Sequence, residues 1–270
     1  MRAMIGLVVL VGCAAEPTAP STLLISDYRA NAIYRYDGVT GEFLGTFAAG
    51  SEQRVDRPAG VRLGPADQLY TAGFGRGDVV RYDLHSGQMM DVFYWDTTLL
   101  EEPVELVFHG DQLVVLGNDT NNLVVLAPDG TVARTFGAPQ MRGAHDFVIA
   151  DGKALVATES AIQVWDLASG TQIGEFGRRD LVLATSIATR GETIYVSDWD
   201  RDCIMTFPEG RVLVSGLRDP ISIDIVDDDL YVLDATGLHR FDAETGEHLS
   251  QLVARDERLL WPRAFTFVRD

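Results

Sequence analysis

Short segments in which apolar and polar residues alternate recur along the chain, and no long run with the 3.6-residue period of an amphipathic helix interrupts them. The clearest is a β-branched and aromatic run: LLISD from Leu23, LYTAG from Leu69, LVVLG from Leu113, LVATE from Leu155, IYVSD from Ile194 and LYVLD from Leu230. These starts lie 46, 44, 42, 39 and 36 residues apart, a spacing found in repeat architectures. A second alternating run follows each: IYRYD at 33, VVRYD at 79, LVVLA at 123, IQVWD at 162, IMTFP at 204 and LHRFD at 238. Both read as strands.

A turn rich in Asp, Ser, Thr and Gly then leads to a third, glycine-initiated strand, as in GEFLGTF at 41, GQMMDVF at 87 and GTQIGEF at 170. A fourth strand precedes the next repeat: PAGVRL from Pro58, PVELVF from Pro103, AHDFVI from Ala144, ATSIAT from Ala184, PISIDI from Pro220 and PRAFTF from Pro262. Six copies of four strands predict an all-β, six-bladed β-propeller with four antiparallel strands per blade, and they exclude a parallel α/β arrangement. The chain begins on the second strand of a blade and ends on the innermost strand of one. The C-terminal inner strand must therefore join the N-terminal three strands and close the ring.

At 270 residues with 46% hydrophobic content, the chain can bury a full core. Forty acidic residues against 22 basic ones give a net charge of −18, which repels phosphate backbones and makes nucleic acid a disfavoured partner. The N-terminus, MRAMIGLVVLVGC, has one positive charge and an apolar run too short to span a bilayer as a helix. It fits a cleaved export signal. Leu10, Val11, Gly12 and Cys13 resemble the bacterial lipobox, in which the cysteine is lipidated and becomes the first residue of the mature protein. That resemblance divides the chain into a signal peptide (1–12), a tether (13–22) and the propeller (23–270). It implies export to the bacterial cell envelope and a membrane anchor, and Ala14 after the cysteine looks like an outer-membrane destination. With Cys13 lipidated, Cys203 is the one thiol left, and no intramolecular disulfide forms.

The strand IYVSD at 194, the run IMTF, then GRVL and DPISIDI resemble the NHL family of six-bladed propellers over nearly all of residues 23–270. The segment VWDLASGTQIGEF from Val164 looks like a blade of the WD40 family, but the Gly-His dipeptide of that family is missing. Both resemblances specify a fold far better than a function.

In this topology, loops entering the inner strands surround one mouth of the central channel. Near that mouth the sequence places Glu105, His145, Asp146, Ser186 and Arg263, with Arg62 and Asp224 further along the strands. Glu105, His145 and Asp146 come from adjacent blades, a set suited to a divalent cation or to general acid–base chemistry. The alternative is that they line a wet channel and bond to water or to each other. Gluconolactonase-like propeller hydrolases are similar in fold and hold Ca²⁺ with Glu, Asn and Asp. That likeness implies a metal at Glu105 and Asp146, although no Asn starts an inner strand here.

Other constellations are weaker. Ser186 has no identifiable base and no G-x-S-x-G segment exists. The stretch from Asp198 to Glu209 matches the acidic positions of an EF-hand loop, but Cys203 stands where its glycine belongs. Asp27, Glu159, Asp198 and Asp234 end the same strand in four blades, and their regularity points to a structural role. The functional expectation is a binding or scaffold module for a protein, peptide or glycan, with no cofactor. The alternative is a metal-dependent hydrolase or lyase at the channel mouth.

Overall fold

The computed structural model describes residues 21–269. Cys13, the signal peptide and most of the tether lie outside the described residues. Twenty-four strands form six four-stranded sheets arranged as blades. Blade 1 runs from its inner strand Pro262–Val268 through Thr22–Asp27 and Ala32–Asp37 to its outer strand Phe43–Ala49. The inner strand of blade 1 pairs Thr266 with Leu24 and Val268 with Thr22, so the two ends of the chain share one sheet. The ring closes as the sequence requires, and no free edge remains at the seam.

The other inner strands are Pro58–Gly64, Pro103–His109, Ala144–Ala150, Ala184–Arg190 and Ser222–Val226, for blades 2 to 6. Each packs against the inner strands of its two neighbours around the channel. The apolar cores lie between blades. Leu24, Ile33 and Phe47 of blade 1, for example, pack against Val61, Leu69, Val80 and Tyr82 of blade 2. A sheet covered on both faces needs apolar residues at successive positions, so Asn122–Leu126 and Cys203–Phe207 are buried throughout. Cys203 is buried there, and burial pushes its thiol up to about 11, which leaves it inert.

Outer strands are the exposed edges, and each carries at least one register shift against its neighbour. Bulges twist an edge away from edge-to-edge pairing. The glycine that opens the third strands has a second purpose besides its positive φ. At Gly87 (φ +70°) a Cβ would stand 2.0 Å from the Phe47 carbonyl oxygen of blade 1, and Gly130 and Gly246 abut Phe93 and Leu213 of their preceding blades in the same way.

Direction along the blades defines two faces. Inner strands start on the mouth face, at residues such as Pro262, and end on the opposite face, at Val268. Ser21 donates its backbone N–H to the Val268 carbonyl at 3.0 Å. The described chain therefore begins on the face opposite the mouth.

Candidate functional site at the channel mouth

Consecutive residues on a regular strand point to opposite faces, yet here neighbouring pairs both line the mouth. A β-bulge at the start of the inner strand resolves this. Pairing skips from Ala144 to Asp146, from Pro103 to Glu105, from Ala184 to Ser186 and from Ala264 to Pro262, leaving His145, Val104, Thr185 and Arg263 as the extra residues. In blade 2 the skip runs from Pro58 to Val61. Bulges re-aim side chains. Sequence alternation could not show this, because the irregularity is one of pairing.

The structure thus brings Glu105, His145, Asp146, Ser186 and Arg263 to one small cavity, with Ala59, Val104, Thr185, Ile221, Ser222 and Ala264. It holds about 20 Å³ at the radius of water, enough for about one molecule. A substrate cannot enter a space of that size whole.

Most of the polar groups are already engaged. Asp146 accepts the Phe147 N–H at 2.7 Å and reaches across to blade 5, where its second oxygen accepts the Ile187 N–H at 3.0 Å and the Ser186 hydroxyl. Ser186 in turn accepts the Ile223 N–H of blade 6 at 3.1 Å. Thr185 donates to the Pro220 carbonyl at 2.7 Å. These residues latch one blade to the next, and the Ser186 hydroxyl is held between the Asp146 carboxylate and the Ile223 N–H.

Beside them, Glu105 accepts the Leu106 N–H at 2.9 Å and lies 3.3 Å from Arg62 Nε. Burial raises the Glu105 carboxyl, with Arg62 pulling the other way and Asp146 adding to the rise. Asp146 and Asp224 are likewise raised by burial. Burial works against the Arg62 charge too, but Glu105, Asp224 and Asp146 outweigh it and hold the guanidinium above its ordinary range. Arg62 thus serves three carboxyl groups inside the channel. Glu105 faces Arg62 and Asp146 is committed to blade 5, so the pair offers a divalent cation no open donor set in this arrangement. Among the described residues, no three His, Cys, Asp or Glu side chains converge as metal ligands do.

Arg263 and His145 differ from their neighbours. They stand on blades 1 and 4, opposite each other across the mouth, and among the described residues neither side chain has a hydrogen-bond or ion-pair partner. Burial lowers the His145 imidazole, and the charge of Arg263 lowers it further. Burial also lowers the Arg263 guanidinium.

The regularly spaced carboxylates are staples. Asp27 joins the Ala30 N–H of its own turn to the Trp261 N–H of the loop entering the inner strand, both at 2.8 Å. Asp198 does the same for Val182, Leu183 and Arg201, and Asp234 for Arg218 and Thr236. Asp198 is therefore committed, and Cys203–Phe207 is a strand, so no EF-hand loop forms. Glu159 makes no such bridge; instead its backbone N–H meets the Gly143 carbonyl. Blades 2 and 3 use residues the repeat does not mark: Asp78 accepts from Arg54, and Asn122 donates to the Leu99 carbonyl at 2.8 Å.

Beside the mouth lies a feature the sequence did not single out. A groove of about 200 Å³ runs over blades 5, 6 and 1 between Trp199, Ile221, Leu260 and Trp261, bordered by Arg29, Asp219 and Asp234. Arg29 stacks 4.5 Å from the centre of the Trp261 ring, and Tyr28 lies 6.1 Å from it. Arg255 donates to the carbonyls of Ala235, Leu259 and Leu260 and so pins the loop bearing Trp261. Its residues come from several separate loops, which is why no local motif announced the groove.

No protein-family model and no curated protein matches the sequence. Among solved structures, the chain is similar to one in the crystal structure of a nidogen/laminin complex. The TM-score is 0.76 and the identity 13%, covering 92% of this chain and 98% of that one. It is also similar to the computationally designed Ika8 protein, with a TM-score of 0.54 and 14% identity over 86% of this chain and 73% of the other. At these identities the likeness establishes the fold, an all-β six-bladed propeller.

Proposed function

We propose that this chain is a binding module of the bacterial cell envelope, an NHL-like propeller held by a lipid on Cys13 and presenting its mouth face to a protein, peptide or glycan. The observation that carries this reading is the groove between Trp199 and Trp261, an exposed aromatic surface with a stacked arginine beside a channel mouth whose own cavity has room for about one water. Aromatic and arginine side chains are the residues that anchor protein and peptide ligands, and indole faces also suit sugar rings. The described chain starts on the opposite face. An anchor there would leave the mouth pointing away from the membrane, at the end of a tether that extends at most about 30 Å. The likeness to a chain within a complex of two proteins supports the same reading.

A photo-crosslinking residue placed at Trp261 in the full chain, in intact cells, tests the face. Its counterpart is the same residue at Val39, which is 63% exposed on the opposite face. Adducts are expected from position 261 and not from position 39, and Trp199→Ala should deplete them. Adducts from position 39 alone, or equally from both, would overturn the assignment. Cys13→Ser is expected to abolish incorporation of labelled fatty acid and to release the protein from membranes; retention of both would remove the anchor.

A further inference from the structure

We propose that the channel mouth binds a carboxylate group, held between Arg263 of blade 1 and His145 of blade 4. The inference rests on the mouth being the binding face, and it names the chemistry that the centre of that face recognises.

Three observations converge on it. Arg263 and His145 are the extra residues of two inner-strand bulges, turned to the mouth from opposite sides of the ring. The remaining extra residues, Val104 and Thr185 among them, are apolar or bonded to backbone. Second, the other charged side chains at that level and two of its three hydroxyls are engaged: Asp146, Glu105, Ser186 and Thr185 all have partners. Arg263 and His145 are half-buried donors left without an acceptor among the described residues. A guanidinium withdrawn from water and unpaired is costly, and an anion from solution relieves that cost. Third, the space admits a water-sized group. One oxygen of a carboxylate fills that space and accepts from the guanidinium on one side and the imidazole N–H on the other, while the rest of the ligand stays outside the cavity.

Ile221 belongs both to this cavity and to the Trp199–Trp261 groove. A ligand whose carboxylate entered the mouth could therefore lay its body against the indoles. The groups facing the site set its pH dependence: Glu105 from blade 3, Asp146 and Glu159 from blade 4, Asp224 from blade 6, Arg62 from blade 2 and Tyr28 from blade 1. As pH falls, Glu105 and Asp146 take up protons and His145 regains its charge. All three changes favour a bound anion.

The test titrates acetate into the full chain at constant ionic strength and follows the imidazole resonances of His145, assigned with His145→Gln. A saturable shift is expected with a Kd on the order of 1 mM, tightening as pH falls. Acetamide should give none. Arg263→Gln should weaken binding roughly tenfold or more and Arg263→Lys should restore part of it, with melting curves confirming that both variants fold. N-acetyltryptophan and glucuronate, run in parallel, identify whether a peptide or a sugar supplies the carboxylate, by which binds more tightly than acetate. No saturable shift with acetate, or one indifferent to Arg263→Gln in a folded variant, would overturn the proposal. Acetate binding without crosslinks from position 261 would leave this site standing and remove the binding-module reading. Crosslinks without acetate binding would do the reverse.

Discussion

Glu105 shows how burial and pairing compete at a single residue. Its carboxyl is pushed up to about 8, because removal from water outweighs the attraction of Arg62. A carboxyl whose folded pKa lies above its unfolded value binds an extra proton in the folded state. Stability therefore falls as pH rises from the ordinary carboxylate range towards 8. Glu105→Gln removes that dependence. Melting curves should show the variant gaining on the parent between pH 5 and 8 and levelling above it; a gap that stays constant, or moves in favour of the parent, means the Arg62 pair dominates. The staple residues give the opposite kind of effect. Asp198→Ala strands the N–H groups of Val182 and Leu183, an estimated loss of about 2 kcal/mol, or roughly 4–8 °C in Tm for a domain of this size.

At the scale of strands and turns, the sharpest dependence is on the seam. Removal of the residues after Leu260 deletes the inner strand of blade 1, Pro262–Val268, together with Phe265 and Phe267 from the core shared by blades 6 and 1. The truncated chain should lose its cooperative melting transition in circular dichroism, and an unchanged transition would contradict the ring closure. Gly87→Ala should cost more than the roughly 1–2 kcal/mol of a positive φ alone, since its Cβ would collide with a blade 1 carbonyl that cannot swing away. A melting loss below that range would show that the blades yield at this junction.

The strands were legible because each blade is sandwiched between two others, which forces apolar residues at successive positions in runs such as LVVLG and CIMTF. Closure of the ring followed from where the chain starts and stops within a repeat. The candidate residues at the mouth were legible as positions but not as a geometry. His145 and Asp146 share the cavity through a bulge, and a bulge leaves no mark in the alternation of one strand. Partners were hidden too: Asp146 finds Ser186 and Ile187 on the next blade, about 40 residues away. The groove was invisible for the same reason, its two tryptophans standing on separate loops.

Across the whole molecule, the net charge of −18 is unevenly spread. Among the described residues, every arginine in a loop between strands lies on the mouth face, including Arg29, Arg57, Arg142, Arg218 and Arg255. The loops of the opposite face hold Glu42, Asp67, Asp111, Asp151, Glu192, Asp228 and other acids, with no lysine or arginine. The arginines of the mouth face offset loop carboxylates such as Glu101, Glu102, Asp200 and Asp202, so an anionic ligand approaching this acidic protein is repelled less there than at the opposite face. The most direct measurement of the central claim is amide hydrogen exchange on the full chain, compared between membranes carrying the ligand in place and protein extracted in detergent. Extra protection in the membranes is expected in the mouth-face loops 199–202 and 255–261, with the opposite-face turns 38–41 and 84–88 unchanged. Protection confined to those opposite-face turns would contradict the claim that the mouth is where this propeller binds.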